Sequence, residues 1–460
     1  MEDDRVNYPY YIYQVYQHYS DLSGIYVGGI NISILGVVLA LAISIFLIIK
    51  KLNPVLAMFL GVSVGAIVGS ADLSQMMDIM LLGGRQVVGI NIRIIAGGVL
   101  VGALVETGAA ESLAKSIAEG LGSKRAIPAI ALTAALMCSV GVFPPVAMLI
   151  IAPIALSIAH KAGVSKFAAI LALSGGVKAG NVMSPNPSAL AAAESFGVPI
   201  SQMMVNSVLP ALAAFAVTML LCRMKRTRHF MVGAEDIESG ADPQDLPPFG
   251  RAVVAPAVAI GLLMLNPVGD LMGIHFISSA NLPMDPFYVL PIGAVAGMLA
   301  MGKGRGIIDV ATKGVLRMAP VMLMMFGAGA IGGLITTSVF PAAMEHALSA
   351  AGLPAAFLAP LSSTVFSGVT GSNAAGVIIG GESFAATILE AGVPAMAGAV
   401  MLHAGGGFID VMPHGNIFLA SQQGMKCTMT ERLKVIPYEA AVGFTKVTTA
   451  TALFLAGFWG

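Results

Sequence analysis

Apolar residues gather into runs of sixteen to twenty-two positions, separated by short polar or glycine-proline punctuation. A helix crossing a bilayer takes about 20 such residues. The runs Ile32–Ile49, Pro54–Gly69, Ile92–Gly108, Met203–Cys222, Ala252–Gly273, Pro286–Met301, Met318–Thr337 and Gly443–Phe458 therefore predict membrane-spanning helices. Two apolar stretches, 126–200 and 354–424, are too long for one span and carry breakers. The first holds Gly141-Val142-Phe143-Pro144-Pro145 and then Asn181-Val182-Met183-Ser184-Pro185-Asn186-Pro187. The second holds Gly371-Ser372-Asn373 and then Asp410-Val411-Met412-Pro413-His414-Gly415-Asn416. Each predicts a re-entrant hairpin followed by a broken helix: hairpin 126–158 with broken helix 167–200, and hairpin 354–390 with broken helix 394–424. The fold class is an all-α polytopic membrane protein.

Composition agrees with the pattern. Of 460 residues, 57% are hydrophobic and 10% charged, against roughly a quarter charged in soluble domains. With 24 basic and 24 acidic residues the net charge is zero, which leaves no excess for a nucleic-acid backbone. The three cysteines form no CxxC pair, so neither a zinc site nor a disulfide framework is expected. No metal or other cofactor is implied.

Charge also orients the chain. With the N-terminus outside and the first hairpin entering from inside, 19 of the 24 Lys and Arg residues fall on the cytoplasmic side, as the positive-inside rule requires. The second hairpin then enters from outside. Lys178 and Lys446 are left within spans. Residues 1–30 are acidic and then tyrosine-rich, without the basic-then-apolar order of a signal peptide; they are expected as an interfacial segment. Residues 223–250 turn from basic to acidic and read as a solvated cytoplasmic linker.

The linker divides two related halves, 31–222 and 251–460. Laying residue 162 on residue 391 gives 8 identities in 22 positions, including Ala162-Gly163-Val164 on Ala391-Gly392-Val393 and Val182-Met183 on Val411-Met412. Asn181 falls on Asp410. The halves run in opposite directions through the membrane. Inverted repeats with broken helices are characteristic of secondary transporters, which bind substrate at the midplane. A helix interrupted there exposes backbone groups tolerated only in buried protein or around a polar cavity, and half-helix N-termini attract anions.

The order of features resembles the gluconate permease (GntP) family of the ion transporter superfamily. Ser139–Pro153 corresponds to the first hairpin. Met183-Ser184-Pro185-Asn186-Pro187 resembles the family's Leu-Pro-Pro-His-Pro-Gly-Pro break, and Ile409-Asp410-Val411-Met412-Pro413-His414-Gly415-Asn416 resembles its Leu-Asp-(Thr/Ser)-Leu-Pro-His-Asn-Gly break. Asp410, Pro413 and His414 match residue for residue. The chain departs from the pattern at Asn186 and Ser188, where the family has His and Gly, and at Gly415-Asn416, where the order is reversed. The resemblance implies proton-driven uptake of a small organic anion such as gluconate, another sugar acid or a hydroxy acid. It also implies a scaffold plus a moving transport domain, and a homodimer in a bacterial inner membrane.

The candidate residues follow from both readings. Asp410, a carboxyl at membrane depth, is the candidate for proton coupling, or else a helix cap; His414 suits a proton relay or packing. Asn181, Ser184 and Asn186 at the first break, Ser372 and Asn373 at the second hairpin tip, and Asn416 after the second break are candidate substrate ligands, or else they satisfy the broken backbone. Lys178 is a candidate for the substrate carboxylate. Asn and Ser at these tips also suit sodium, which is the alternative coupling ion. No HExxH, GxSxG or phosphate-binding loop is present, so neither enzyme nor ATP-driven pump is expected. Gly327-x-Gly329-x-x-Gly332 fits a dinucleotide fingerprint by letter only; inside an apolar span it reads as a packing surface.

Overall fold

The computed structural model describes residues 30–122, 125–224, 230–233, 236, 246–272 and 284–459. All but the last residue of the expected interfacial segment, and most of the acidic half of the linker, lie outside these. Among the described residues the chain is helical, with no strand beyond two isolated bridges. The first half runs α1 Ile34–Ile49, α2 Pro54–Val68, α3 Leu73–Gln86, α4 Val88–Glu106, α5 Ala109–Leu121, α6 Ala126–Ser139, α7 Pro144–Lys161, α8 Lys166–Val182, α9 Pro187–Ser195, α10 Ile200–Asn206 and α11 Val208–Cys222. The second runs α12 Phe249–Ala252, α13 Val254–Leu271, α14 Pro286–Ala300, α15 Ile307–Thr336, α16 Phe340–Ala350, α17 Leu358–Thr370, α18 Asn373–Glu390, α19 Ala395–Gly406, α20 Asn416–Gly424, α21 Met429–Leu433 and α22 Ile436–Leu455. Five described helical stretches are long and apolar enough to cross a membrane, and α10 with α11 adds a sixth bent by 43°.

Three helices, α3, α5 and α16, were not among the predicted spans. They are short and carry polar residues, so hydropathy alone passes over them. The run predicted at Met318–Thr337 belongs to the single 30-residue helix α15. Its glycines seat it. A methyl group on Gly314 would collide with the Gly98 carbonyl, and one on Gly329 would strike the Gly83 backbone. Gly327, Gly329 and Gly332 thus face Met58, Gly83 and Glu382, a packing surface in which small residues let helices approach closely. Gly61, Gly65 and Gly69 do the same between α2 and the α1 face around Gly36, Ala40 and Ser44.

The stretch 126–200 folds as two helices joined at Gly141, then α8 and α9 separated by residues 183–186. The stretch 354–424 folds likewise, with α17 and α18 joined at Gly371, then α19 and α20 separated by residues 407–415. Gly141 and Gly371 both take positive φ, +96° and +62°, a conformation costly for any residue with a Cβ. Both tips close on their own break: Gly141 faces the Pro185 ring, and Gly371 faces Gly415 and His414. The two stretches also exchange half-helices. The short α9 packs on α18 of the second hairpin, and the short α20 packs on α7 of the first.

The described part of the linker differs from the solvated segment expected. Phe230 accepts from the Lys166 backbone N–H (2.6 Å), the Val232 carbonyl accepts from His160 (3.0 Å), and Asp236 pairs with Lys166 at 2.6 Å. A turn at 162–165 leaves these donors at the end of α7 and start of α8, and the linker satisfies them.

Candidate functional site

Every residue of α8 is buried, so its one lysine near the C-terminal end cannot reach water. Lys178 is 2% exposed, and it donates to the Asp410 carboxylate at 2.5 Å and to the Gly407 carbonyl at 2.6 Å. Asp410 is 1% exposed and sits in the nine-residue gap between α19 and α20. The two predicted candidates thus join the last turn before the first break to the second break. Gly407 supplies the carbonyl because α19 ends there and its last carbonyls have no helical partner.

A third charge stands beside them. Lys446 lies within α22, fully buried, and its Nζ has no hydrogen-bond partner among the described residues. Two observations show how α22 brings it there. Gly443 lets the helix press on the backbone of Gly407 and Phe408, and the Phe444 ring packs on Phe408 with centroids 5.6 Å apart. One turn later the ammonium lies directly over Gly407, where any side chain would strike it. Sequence reading placed Lys446 in a span but assigned it no role. The signal was there: a lone lysine in an apolar helix is expensive and functional by default.

Asn373 opens α18 at the second hairpin tip. Its amide is buried, and neither Oδ1 nor Nδ2 is hydrogen-bonded to a described residue. Oδ1 faces Gly406, and Nδ2 faces the same Gly407 position that the Lys446 ammonium covers. The Asn181 Oδ1, three residues after Lys178, is likewise buried and unpartnered. Buried polar groups are normally satisfied, and these four atoms, Lys446 Nζ, Asn373 Oδ1 and Nδ2 and Asn181 Oδ1, are exceptions.

Of the other candidates, Asn186, Ser372 and His414 bond the local backbone. Asn186 caps α9, its Oδ1 accepting from the Ala189 N–H (2.9 Å) and from Ser188 (2.6 Å). Its Nδ2 donates to the Asn181 carbonyl (2.5 Å) and the Ser184 hydroxyl (2.7 Å). The first break is therefore stapled by one amide. Ser372 caps α18 through the Ala375 N–H. His414 is half-buried and its Nε2 lies 3.0 Å from the Val369 carbonyl, so it ties the second break to the hairpin tip. Asn416 is exposed at the start of α20. His403, one turn before Gly407, is fully buried on α19. A cavity of about 440 Å³ opens elsewhere, between Arg125, Pro128, Ala162, Val164, Met219 and Arg223. It shares no residue with the polar cluster, which is sealed from solvent.

Comparison with known proteins bears on what this cluster is. Residues 32–450 match the model of the GntP family permeases. The chain belongs to the GntP permease family. A transporter of Haemophilus influenzae is 40% identical over 424 residues, covering 92% of this chain and 98% of that one. The high-affinity gluconate transporter of Escherichia coli is 23% identical, over 65% of this chain and 70% of its own length. The gluconate permease of Pseudomonas aeruginosa is also 23% identical, over 72% and 76%. Among solved structures, the YdaH transporter of Alcanivorax borkumensis superposes with a TM-score of 0.58 at 16% identity, covering 84% of this chain and 90% of that one; the likeness is one of fold. This GntP permease is an integral membrane protein, and its polar cluster lies between two interrupted helices.

Proposed function

We propose that this chain is a proton-coupled symporter for a small organic anion, a sugar acid such as gluconate or another hydroxy acid, in a bacterial inner membrane. The observation that carries the reading is the Lys178–Asp410 pair, buried where the first broken helix meets the second. Protonation of Asp410 leaves the positive charge of Lys178 and Lys446 uncompensated, and a substrate carboxylate can balance it. Proton and anion then enter together, and the net charge of the cluster is unchanged. His414 and Asn186 hold the breaks in shape.

The sealed cluster supports alternating access. Reaching it from either side requires the two hairpins and broken helices to move together against α1–α4 and α13–α16, an elevator-like motion of two inverted repeats. The reciprocal packing of α9 on α18 and α20 on α7 favours their moving as one body. A homodimer would hold the scaffold still. Sodium is the alternative driver, favoured by the unpartnered oxygens Asn181 Oδ1 and Ser367 Oγ.

The test is uptake of labelled D-gluconate, D-glycerate and other hydroxy acids into proteoliposomes. Accumulation under an inward proton gradient that collapses with an uncoupler is the expected result. Accumulation under a sodium gradient alone would transfer coupling to sodium, and no accumulation under either gradient would remove the symporter reading.

A further inference from the structure

We propose that Lys446 is the counter-ion reserved for the substrate carboxylate. The inference rests on the transporter reading above and adds to it a residue that neither the family motifs nor the breaks point to.

The argument begins with how this protein treats buried charge. Besides Lys446, the buried Lys, Arg, Asp and Glu side chains among the described residues are Lys166, Lys178, Asp236, Asp410, Arg432 and Glu439. All six are paired: Lys166 with Asp236 at 2.6 Å, Lys178 with Asp410 at 2.5 Å, and Arg432 with Glu439 at 2.7 Å. Lys446 alone has neither an acidic partner nor a hydrogen bond. Leaving an amine so placed is costly at membrane depth, and a chain that pairs its other buried charges has kept this one open.

What surrounds it has the chemistry of a hydroxy acid site. Asp410 is within electrostatic reach but is held by Lys178. Lys178 and His403 are the other titratable groups facing Lys446, and α11, also packed on α22, carries no charged residue. The floor beneath the ammonium is Gly406-Gly407, without side chains, and across it stands the Asn373 amide with donor and acceptor both unused. A carboxylate meets Lys446, and a hydroxyl on the neighbouring carbon meets Asn373, which can donate to it and accept from it. A neutral polyol satisfies only the second. The site therefore selects 2-hydroxy carboxylates through one charge and one amide.

The experiment measures binding of D-gluconate and its neutral analogue D-glucitol to purified full-length protein by calorimetry. Lys446→Gln should weaken D-gluconate by about 10- to 100-fold, the range for one charge-assisted hydrogen bond, and leave D-glucitol unchanged. A purely structural lysine would move both or neither. Should Lys446→Gln fail to fold, Lys446→Cys in a background lacking the three native cysteines replaces it. Aminoethylation of that thiol, which restores an ammonium, should recover D-gluconate binding, and methylation should not. Wild-type affinity for D-gluconate in Lys446→Gln, or equal recovery with both thiol reagents, would overturn the assignment while leaving the symporter reading in place. Failure of the wild-type protein to bind any hydroxy acid would instead remove the reading on which it rests.

Discussion

Replacing Asp410 by Asn tests the centre of the scheme. At 1% and 2% exposure, Asp410 and Lys178 are shielded from solvent screening. Removing one member of such a buried pair typically costs about 3–5 kcal/mol, because the other charge is left uncompensated. Asn at 410 keeps an acceptor for Lys178, and the Gly407 carbonyl still accepts at 2.6 Å. The expected loss is therefore at the low end, about 3 kcal/mol. Lys178→Met strands the carboxylate with no other side-chain partner among the described residues, so its loss should be larger, about 4–5 kcal/mol. Combining Lys178→Met with Asp410→Asn removes both charges and should recover most of the loss, since apolar replacement of a whole pair is often neutral.

Stability read by reversible unfolding in mixed micelles supplies these numbers, and the ligand supplies a sharper one. If the substrate carboxylate balances the positive charge that loss of the Asp410 carboxylate leaves on Lys178 and Lys446, the Asp410→Asn protein should gain more stability from D-gluconate than wild type does. A ligand at a hundredfold its Kd stabilises by about 2.7 kcal/mol; at equal D-gluconate concentration the variant should exceed the wild-type gain by at least 1 kcal/mol, roughly fivefold in affinity. In proteoliposomes the same variant should exchange D-gluconate without pH dependence and without accumulating it. Two single variants within about 1 kcal/mol of wild type, or an Asp410→Asn protein that still concentrates substrate with unchanged pH dependence, would refute the reasoning and leave Asp410 a helix cap.

Three further outcomes are expected. Arg432→Met strands Glu439 and removes the hydrogen bond to Ser421 and the stacking on Phe418; it should cost about 3–5 kcal/mol of stability and lower transport only through the amount of folded protein, as thermal melting and uptake per folded molecule will show. Asn186→Ala removes a cap and the staple of the first break, so it should destabilise by about 1–2 kcal/mol and change D-gluconate affinity less than threefold; a tenfold loss of affinity at unchanged stability would return Asn186 to the ligand shell. A disulfide between Gly332→Cys and Glu382→Cys should lock α15 to α18, since a Cβ on Gly332 would lie 2.9 Å from that of Glu382 and parting the helices there by about 1 Å brings the pair into the 3.5–4.5 Å range of disulfides; uptake should stop on oxidation and return on reduction, and full uptake with the bond formed would count against movement between these helices.

What the sequence disclosed about the site depended on the kind of interaction. The breaks were legible because Pro185, Asn186 and Pro187, or Pro413 and Gly415, disrupt an apolar run locally, and a helix interior cannot absorb them. The helices α3, α5 and α16 were not legible from hydropathy, since each is short and partly polar. Asn186 shows a different limit. Its residue type suited a ligand and a cap equally, and only the four partners around it decide between them. His414 and Asn416 were read as neighbours at one site, yet the turn at 413–415 sends one to the hairpin tip and the other to the surface.

The hardest feature to read was the pairing of charges, because Lys178, Asp410 and Lys446 come from three distant segments. Nothing local says which lysine takes the carboxylate. A weaker statement was nevertheless available without any structure. Two lysines remained in the spans after the basic residues were sorted by side, and only one acidic residue stood at a break. One cation must then either find a partner in the remaining spans or wait for one from outside. The acidic residues Glu106 and Glu382 were the available partners within the chain. Glu106 is taken by Arg317 at 2.5 Å, and Glu382 lies under Gly332 on the far side of α18 from the cluster's glycine floor. The surplus falls on Lys446, and a permease of organic anions is the kind of protein in which a surplus buried cation has a use.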